Sequence, residues 1–88
     1  MPAVQAKVTM QNGTGLGLFI KVEGNVYHFS KSETQTLNLG PGDYISTIGG
    51  NEPSTASVII QFIENGKVLA KQSFSTPVFF GYIPFTVN

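Results

Sequence analysis

The sequence predicts an all-β fold, a single antiparallel β-sandwich of seven or eight strands formed by residues 1–88 as one domain. Three observations predict it. Short runs of β-branched and aromatic residues recur about every ten residues, which is the spacing of a sandwich or barrel. Turn signals separate these runs, among them the pairs Asn12-Gly13 and Asn65-Gly66. No long stretch repeats its apolar residues with the period of a helix.

The first three predicted strands cover residues 3–10, 18–23 and 26–30. In the first two, every second residue is apolar, which is the pattern of a strand with one face buried. Asn12-Gly13 predicts a hairpin after the first strand. Gly24-Asn25 predicts a two-residue hairpin loop between the second and the third.

The middle of the chain predicts three more strands, over residues 34–39, 44–48 and 57–63. The glycines and the proline within residues 49–54 predict an irregular segment there. Residues 57–63 are mostly apolar, so we expect this strand to lie in the centre of its sheet or to be covered on both faces.

Two strands complete the prediction. Residues 67–75 alternate, and we expect Val68 and Phe74 on the buried side. Residues 78–87 are apolar but contain Gly81 and Pro84, which belong at a bulge or a sheet edge. The residues expected in the core are Val8, Leu18, Ile20, Val22, Tyr27, Phe29, Leu37, Leu39, Tyr44, Val58, Ile60, Phe62, Val68 and Phe74.

The turn Leu39-Gly40-Pro41-Gly42-Asp43-Tyr44 resembles the L-x-P-G-x-Y turn of small immunoglobulin-like and prealbumin-like sandwiches, including carboxypeptidase-regulatory-type modules. This resemblance implies an immunoglobulin-like or prealbumin-like topology. It also implies a tyrosine corner, in which the Tyr44 hydroxyl bonds to backbone just upstream. The turn identifies an architecture and no activity.

Composition excludes several classes of function. Charged residues make up 11%, the five basic residues are all lysine, and the formal net charge is zero, so we expect no nucleic-acid partner. No apolar run approaches the roughly 18–20 residues of a membrane span. Without cysteine there is no disulfide scaffold, thiol nucleophile or cysteine-ligated zinc. The first residues lack a signal-peptide pattern, yet the Ser, Thr, Asn and Gln content slightly favours a secreted or cell-surface protein over a cytoplasmic one.

The residues that could support catalysis are few. His28 is the one imidazole, and Glu23 or Glu33 could approach it across a hairpin, but two ligands do not make a zinc site. A triad of Ser30, His28 and Asp43 lacks a nucleophile elbow. We therefore predict that the protein is not an enzyme and needs no cofactor.

Three loop motifs are candidates for binding or modification, and turn chemistry explains two of them. The oxygen ligands of Asp43, Asn51 and Glu52 leave a weak calcium site open. The glycines of residues 13–17 precede a strand, where a phosphate loop would precede a helix, and so predict a wide hairpin. The formal glycosylation site Asn12-Gly13-Thr14 is explained by the same turn.

Four of the ten aromatic residues lie close together near the end of the sequence, at Phe79, Phe80, Tyr82 and Phe85. One interpretation is that they close the protein's own core. The other is that they form an exposed patch for a partner subunit, a peptide or a sugar ring. Because the net charge is zero and residues 78–87 carry no charge, we predict a homo-oligomer, most simply a two-fold dimer, with this segment in the interface.

The predicted function is a non-enzymatic binding or structural module, a secreted or surface accessory or assembly domain that binds itself or another protein. The alternative is a small-ligand or carbohydrate-binding, lectin-like domain. Its aromatic and amide groups would come from Phe19, Tyr82 and Asn51.

Overall fold

A computed structural model describes residues 3–11, 17–51 and 56–88, and these form eight β-strands and no helix. The strands are β1 (Ala3–Gln11), β2 (Gly17–Val22), β3 (Asn25–Phe29), β4 (Glu33–Asn38), β5 (Gly42–Asn51), β6 (Ser57–Glu64), β7 (Lys67–Phe74) and β8 (Val78–Val87).

The strands form two four-stranded antiparallel sheets, which confirms the predicted sandwich. The first sheet has the order β4-β1-β6-β7, and the second has the order β3-β2-β5-β8. Strands β3 and β4 are edges on one side of the sandwich, where the Gln35 side chain donates to the His28 carbonyl at 2.7 Å. Strands β7 and β8 are the edges on the other side.

Two tight hairpins connect neighbouring strands. Asn65 and Gly66 have φ of 51° and 78°, so this predicted two-residue loop has both central residues in the left-handed region, as a type I′ turn requires. The β2–β3 loop has the same geometry but lies at Glu23 and Gly24, with φ of 52° and 79°, one residue before the predicted pair. In both turns glycine takes the second position. The hairpin predicted at Asn12-Gly13 is wrong, because β1 and β2 belong to different sheets and do not pair; the residues between them lie outside the described residues.

The core lies between the two sheets and is made of inward-facing residues from all eight strands and the β4–β5 turn. Phe62 of β6 and Phe85 of β8 stack across the two layers with ring centroids 4.3 Å apart. Phe74 and Phe79 stack at 5.1 Å near the β7–β8 connection. The fully buried large side chains include Val4, Val8, Ile20, Val22, Phe29, Leu37, Ile48, Val58, Ile60 and Phe62.

The core prediction is wrong for Val68, which is 46% exposed. The pairing of β6 with β7 shifts between Phe62 and Ile63, so that Phe62 lies opposite Ala70 while Ile63 lies opposite Val68. The extra residue, Leu69, changes the phase of the alternation. Tyr27, Tyr44 and Phe74, also predicted in the core, are half-buried and pack against it.

The prediction of an irregular segment after residue 48 is also wrong for its first three residues, since β5 continues to Asn51. Gly49 and Gly50 pair with both β2 and β8. A Cβ on Gly50 would lie 2.1 Å from the Gly17 carbonyl oxygen, so the strand approaches β2 too closely for any side chain. The rest of the predicted segment lies outside the described residues.

Candidate functional site: the aromatic outer face of the second sheet

The two outer faces of the sandwich differ in chemistry. Successive side chains in a strand point to opposite sides, so the residues between the buried ones face outward. On the first sheet these outward residues are mostly polar; the apolar members are the half-buried Ile59 and Ile63 of β6 and the exposed Val68 of β7. The polar members are Gln5, Lys7, Thr9, Gln11, Thr34, Thr36, Asn38, Ser57, Gln61, Lys71 and Ser73.

On the second sheet the outward residues include a group of apolar and aromatic side chains, which we call the aromatic face. Its members are Phe19 of β2, Ile45 of β5, and Phe80, Tyr82 and Pro84 of β8. Ile45 is 67% exposed, Phe80 62% and Tyr82 60%. A contiguous exposed apolar surface of this kind marks a contact site, whereas single exposed apolar residues are ordinary.

Gly49 joins the two sides of the aromatic face. It lies between Phe19 of β2 and Phe80 of β8 in one row across the sheet. A Cβ at Gly49 would lie 2.7 Å from Phe19 Cε1 and 3.5 Å from Phe80 Cδ2, so both rings lean over the bare backbone. Phe80 and Tyr82 also meet edge to face, with centroids 5.5 Å apart and planes at 84°. The three rings thus form one continuous surface.

Charge on this face is sparse. Within the described strands of the second sheet, Lys21 and Asp43 are the charged side chains that point outward. Asp43 accepts a hydrogen bond from the Thr86 hydroxyl at 2.7 Å. The face therefore offers apolar contact area with little net electrostatic preference for a partner.

The structure divides the four aromatic residues predicted as a partner surface into two pairs. Phe80 and Tyr82 lie on the aromatic face. Phe79, which is 4% exposed, and Phe85 point into the core, which removes them from the candidate surface and corrects that part of the prediction. The reason is strand alternation, because β8 is extended throughout and odd-numbered residues face inward.

The residues considered for catalysis are not brought together. His28 lies on exposed β3 opposite Phe19, which in turn pairs with Gly49. Asp43 lies six residues from Gly49 along β5, which corresponds to about 20 Å in a strand. A triad of Ser30, His28 and Asp43 is therefore not assembled.

The suggested calcium ligands are also separated. Asp43 and Asn51 lie near opposite ends of β5, about 26 Å apart at the rise of a strand, and Glu52 lies outside the described residues. Within residues 3–11, 17–51 and 56–88, no group of three or more His, Cys, Asp or Glu side chains could hold a metal ion.

Phe19, Tyr82 and Asn51, the residues of the carbohydrate hypothesis, all lie on the outward side of the second sheet. Phe19 and Tyr82 belong to β2 and β8, which are separated by β5, so their strands lie about 10 Å apart. Asn51 is two residues beyond Gly49 on β5, and its side-chain oxygen lies against Gly17. The three residues thus surround the Gly49 position.

Two open clefts border the aromatic face. One of about 380 Å³ lies beside Phe19 and is also lined by His28, Ser30 and Gly49. The other, of about 670 Å³, lies where the start of β7 meets the end of β8. Its lining residues include Asp43, Tyr44, Ile45, Lys67, Val68, Leu69, Pro84 and Phe85.

Ile45 and Pro84 are members of the face that the sequence analysis did not select. The signal for Ile45 was present, because Tyr44, Ser46 and Ile48 alternate inward and Ile45 must then point outward. Pro84 lies opposite Ile45 on β8. No comparable local signal shows that the two are neighbours, because that depends on the pairing of strands distant in sequence.

Comparison with known proteins finds no matching family model, no similar curated protein and no similar solved structure. In the part of the chain that the structure describes, no helix is long and apolar enough to cross a membrane.

Proposed function

We propose that this protein is a non-enzymatic binding or structural module that assembles through the aromatic face. The single observation that carries the proposal is the exposure of Phe80 and Tyr82, at 62% and 60%, in contact with each other and with the Phe19–Gly49 row. The polar outer face of the first sheet provides the contrast within the same molecule.

The energy available from these two rings is considerable. The exposed part of such an aromatic side chain is about 100 Å², since Phe and Tyr each bury about 150–250 Å² when fully covered. At about 25 cal/mol per Å², covering one ring contributes about 2–3 kcal/mol. Aromatic residues are enriched among those that dominate binding energy at interfaces, and the two rings here are adjacent.

The charge distribution supports self-association as the form of assembly. The formal net charge is zero, so two copies do not repel each other at neutral pH. Strand β8, which carries Phe80 and Tyr82, contains no charged residue. The uncharged strand β8 can contact a second uncharged strand without electrostatic repulsion, and a second copy of the chain supplies such a strand.

Light scattering of the purified chain at micromolar concentration tests the proposal. We expect a mass above the 9.4 kDa of one chain, which falls to 9.4 kDa in Phe80→Lys and in Tyr82→Lys. Thr36→Lys adds the same charge to the polar outer face of the first sheet and should leave the mass unchanged. A wild-type mass of 9.4 kDa throughout the concentration range would contradict assembly.

Carbohydrate binding is the second candidate function, favoured by one observation. Phe19, Tyr82 and Asn51 lie around Gly49 on the same outward surface, where rings could stack on a sugar and an amide could bond its hydroxyls. A glycan array with the wild type, Tyr82→Ala and Asn51→Ala tests it. Binding that both variants lose would favour this function, and an array without signal would contradict it.

A further inference from the structure

The free edge of β8 has a consequence for how two copies would meet. Each sheet has two edge strands, which makes four in the described structure: β3, β4, β7 and β8. An edge strand presents unpaired backbone N–H and C=O groups, and natural proteins usually protect it with short length, charge, proline or bulges. β8 is the longest of the four at ten residues and, like the five-residue β3, it carries no Asp, Glu, Lys or Arg.

The other three edges are protected. β3 has five residues, and the Gln35 side chain caps its His28 carbonyl. β4 has six residues and carries Glu33. β7 carries Lys67 and Lys71 and pairs with β6 through an irregular register. β8 has two such devices, the Thr76 hydroxyl on the Val78 carbonyl at its start and Pro84 near its end, and the residues between them carry none.

Two observations establish which backbone groups of β8 face the free edge. Pro84 has no N–H to give to the β5 ladder, so its position belongs to the edge-facing set. The buried Ser46 hydroxyl donates to the Ile83 carbonyl at 2.8 Å, so that carbonyl points toward β5. The Thr76 hydroxyl donates to the Val78 carbonyl at 2.8 Å, so that carbonyl already has a side-chain partner.

Because backbone groups alternate in an antiparallel strand, the even-numbered residues present their N–H and C=O to the free edge. Val78, Phe80 and Tyr82 are therefore the edge-facing residues before Pro84, and of these the Val78 carbonyl already accepts the Thr76 hydroxyl. Their side chains are the same ones that lie on the outward side of the sheet.

We propose that β8 of one chain pairs antiparallel with β8 of a second copy, about a two-fold axis at Phe80, so that two second sheets become one eight-stranded sheet. This inference rests on the proposed function and specifies its partner and geometry. In this register Phe80 lies opposite Phe80 of the second copy and Val78 lies opposite Tyr82. Such pairing forms about six backbone hydrogen bonds, two for each hydrogen-bonded pair. Two of the six end on the Val78 carbonyls, which also accept the Thr76 hydroxyl.

The strand that pairs with this edge is β8 of a second copy, because the segment is complementary to itself. Under the two-fold axis each edge-facing N–H meets a C=O on β8 of the second copy. Pro84 lies just beyond the paired residues. The outward rings of the two copies become neighbours, so the two aromatic faces join into one surface. With no charge between Val78 and Val87, nothing on this edge selects a partner strand of opposite charge.

A proline scan of the edge tests the inference. Phe80→Pro removes the ring and the edge-facing N–H, whereas Phe80→Ala removes only the ring, and neither removes a β5 ladder bond. We expect Phe80→Pro to raise the dimer dissociation constant about thirtyfold more than Phe80→Ala. The reason is that both copies lose the Phe80 N–H, so the dimer loses two interchain hydrogen bonds. As a control, the circular dichroism spectra of both variants should keep the β-sheet signal of the wild type.

Ile45→Lys separates edge pairing from stacking of the aromatic faces. Ile45 is 67% exposed on the same face but lies on β5, away from the edge. Edge pairing predicts that Ile45→Lys keeps the dimer mass. If Ile45→Lys gives monomers while Phe80→Pro behaves like Phe80→Ala, the edge inference is overturned and assembly through the face stands. A monomeric wild type overturns assembly itself.

Hydrogen exchange of the wild type provides a test without substitutions. The amides of Phe80 and Tyr82 should exchange more slowly in the concentrated dimer than in the dilute monomer. The amide of His28, on the edge of β3, should exchange at the same rate in both, since its strand stays unpaired on that side. A doubled mass without protection of Phe80 and Tyr82 would overturn the inference.

Discussion

At the scale of single residues, the Tyr44 hydroxyl fixes the turn that leads into β5. It donates to the Gly40 carbonyl at 2.7 Å, as the tyrosine-corner motif predicts, and the ring stacks on Phe85 at 5.6 Å. The hydroxyl is half-buried, so its bond is not freely replaced by water. Tyr44 is therefore a structural residue rather than part of the contact surface.

We predict that Tyr44→Phe lowers the free energy of unfolding by about 1 kcal/mol, because it removes one hydrogen bond and keeps the ring. Urea denaturation measures this loss. Tyr82→Phe is the matched control, since Tyr82 is 60% exposed and its loss should be near zero in the monomer. An equal loss in both variants would contradict the structural role of the Tyr44 hydroxyl.

The glycines of β5 are required by close approach rather than by turn geometry. Gly50 faces the backbone of Gly17, with 2.1 Å from its hypothetical Cβ to the carbonyl oxygen, and backbone cannot move aside. We predict that Gly50→Ala destabilises the protein by about 1–3 kcal/mol, as overpacking does. Thermal unfolding measures it against Gly40→Ala, where a Cβ meets open space. Equal stability of the two variants would show that β5 does not approach β2 in this way.

At the scale of elements, β6 is the central apolar strand that its composition predicts. It alternates between buried and half-buried residues over Ser57–Glu64, and it pairs with β1 on one side and β7 on the other. Its Phe62 is fully buried and stacks on Phe85 of the opposite sheet. The two layers are thus joined at this point.

We predict that Phe62→Ala costs about 3–5 kcal/mol, since it leaves a cavity between the sheets. Chemical denaturation measures the loss, with Phe80→Ala as the control that removes the same ring from the surface, under conditions where the protein is monomeric. If both substitutions cost the same, the inward and outward assignment of the aromatic residues is wrong.

The strand boundaries that were predictable depend on local chemistry. Asn65-Gly66 predicts its turn because the two residues adopt positive φ at little cost. The continuation of β5 through Gly49 and Gly50 was not predictable, because two glycines favour a break unless neighbouring strands hold them. The phase of β7 was missed for a similar reason, since Leu69 is extra only relative to its partner strand.

The same distinction applies to the candidate site. Alternation predicts that Phe79 and Phe80 point to opposite sides, and they do. Which of the two faces the core cannot be predicted from two identical rings. Pairing of β8 with β5 decides it, because Phe79 lies opposite Gly50 on the inward side and Phe80 lies opposite Gly49 on the outward side.

At the scale of the whole molecule, the sandwich has one polar outer face and one aromatic one. A domain of 88 residues buries only about 60–65% of the surface of its unfolded chain. The core contains or contacts the inward-facing aromatic rings and leaves the outward-facing ones uncovered. Phe19, Phe80 and Tyr82 are left outside. Association that covers them adds contacts which the small core does not provide.

The central claim is that copies of this chain associate through β8 and the aromatic face. The most direct measurement is a dilution series of the isotopically labelled wild type, followed by its backbone amide chemical shifts. We predict concentration-dependent shifts at Phe80, Tyr82 and their neighbours on the second sheet, and constant shifts for the outward residues of the first sheet. Shifts that do not change with concentration, or that change on the polar face, would contradict the claim.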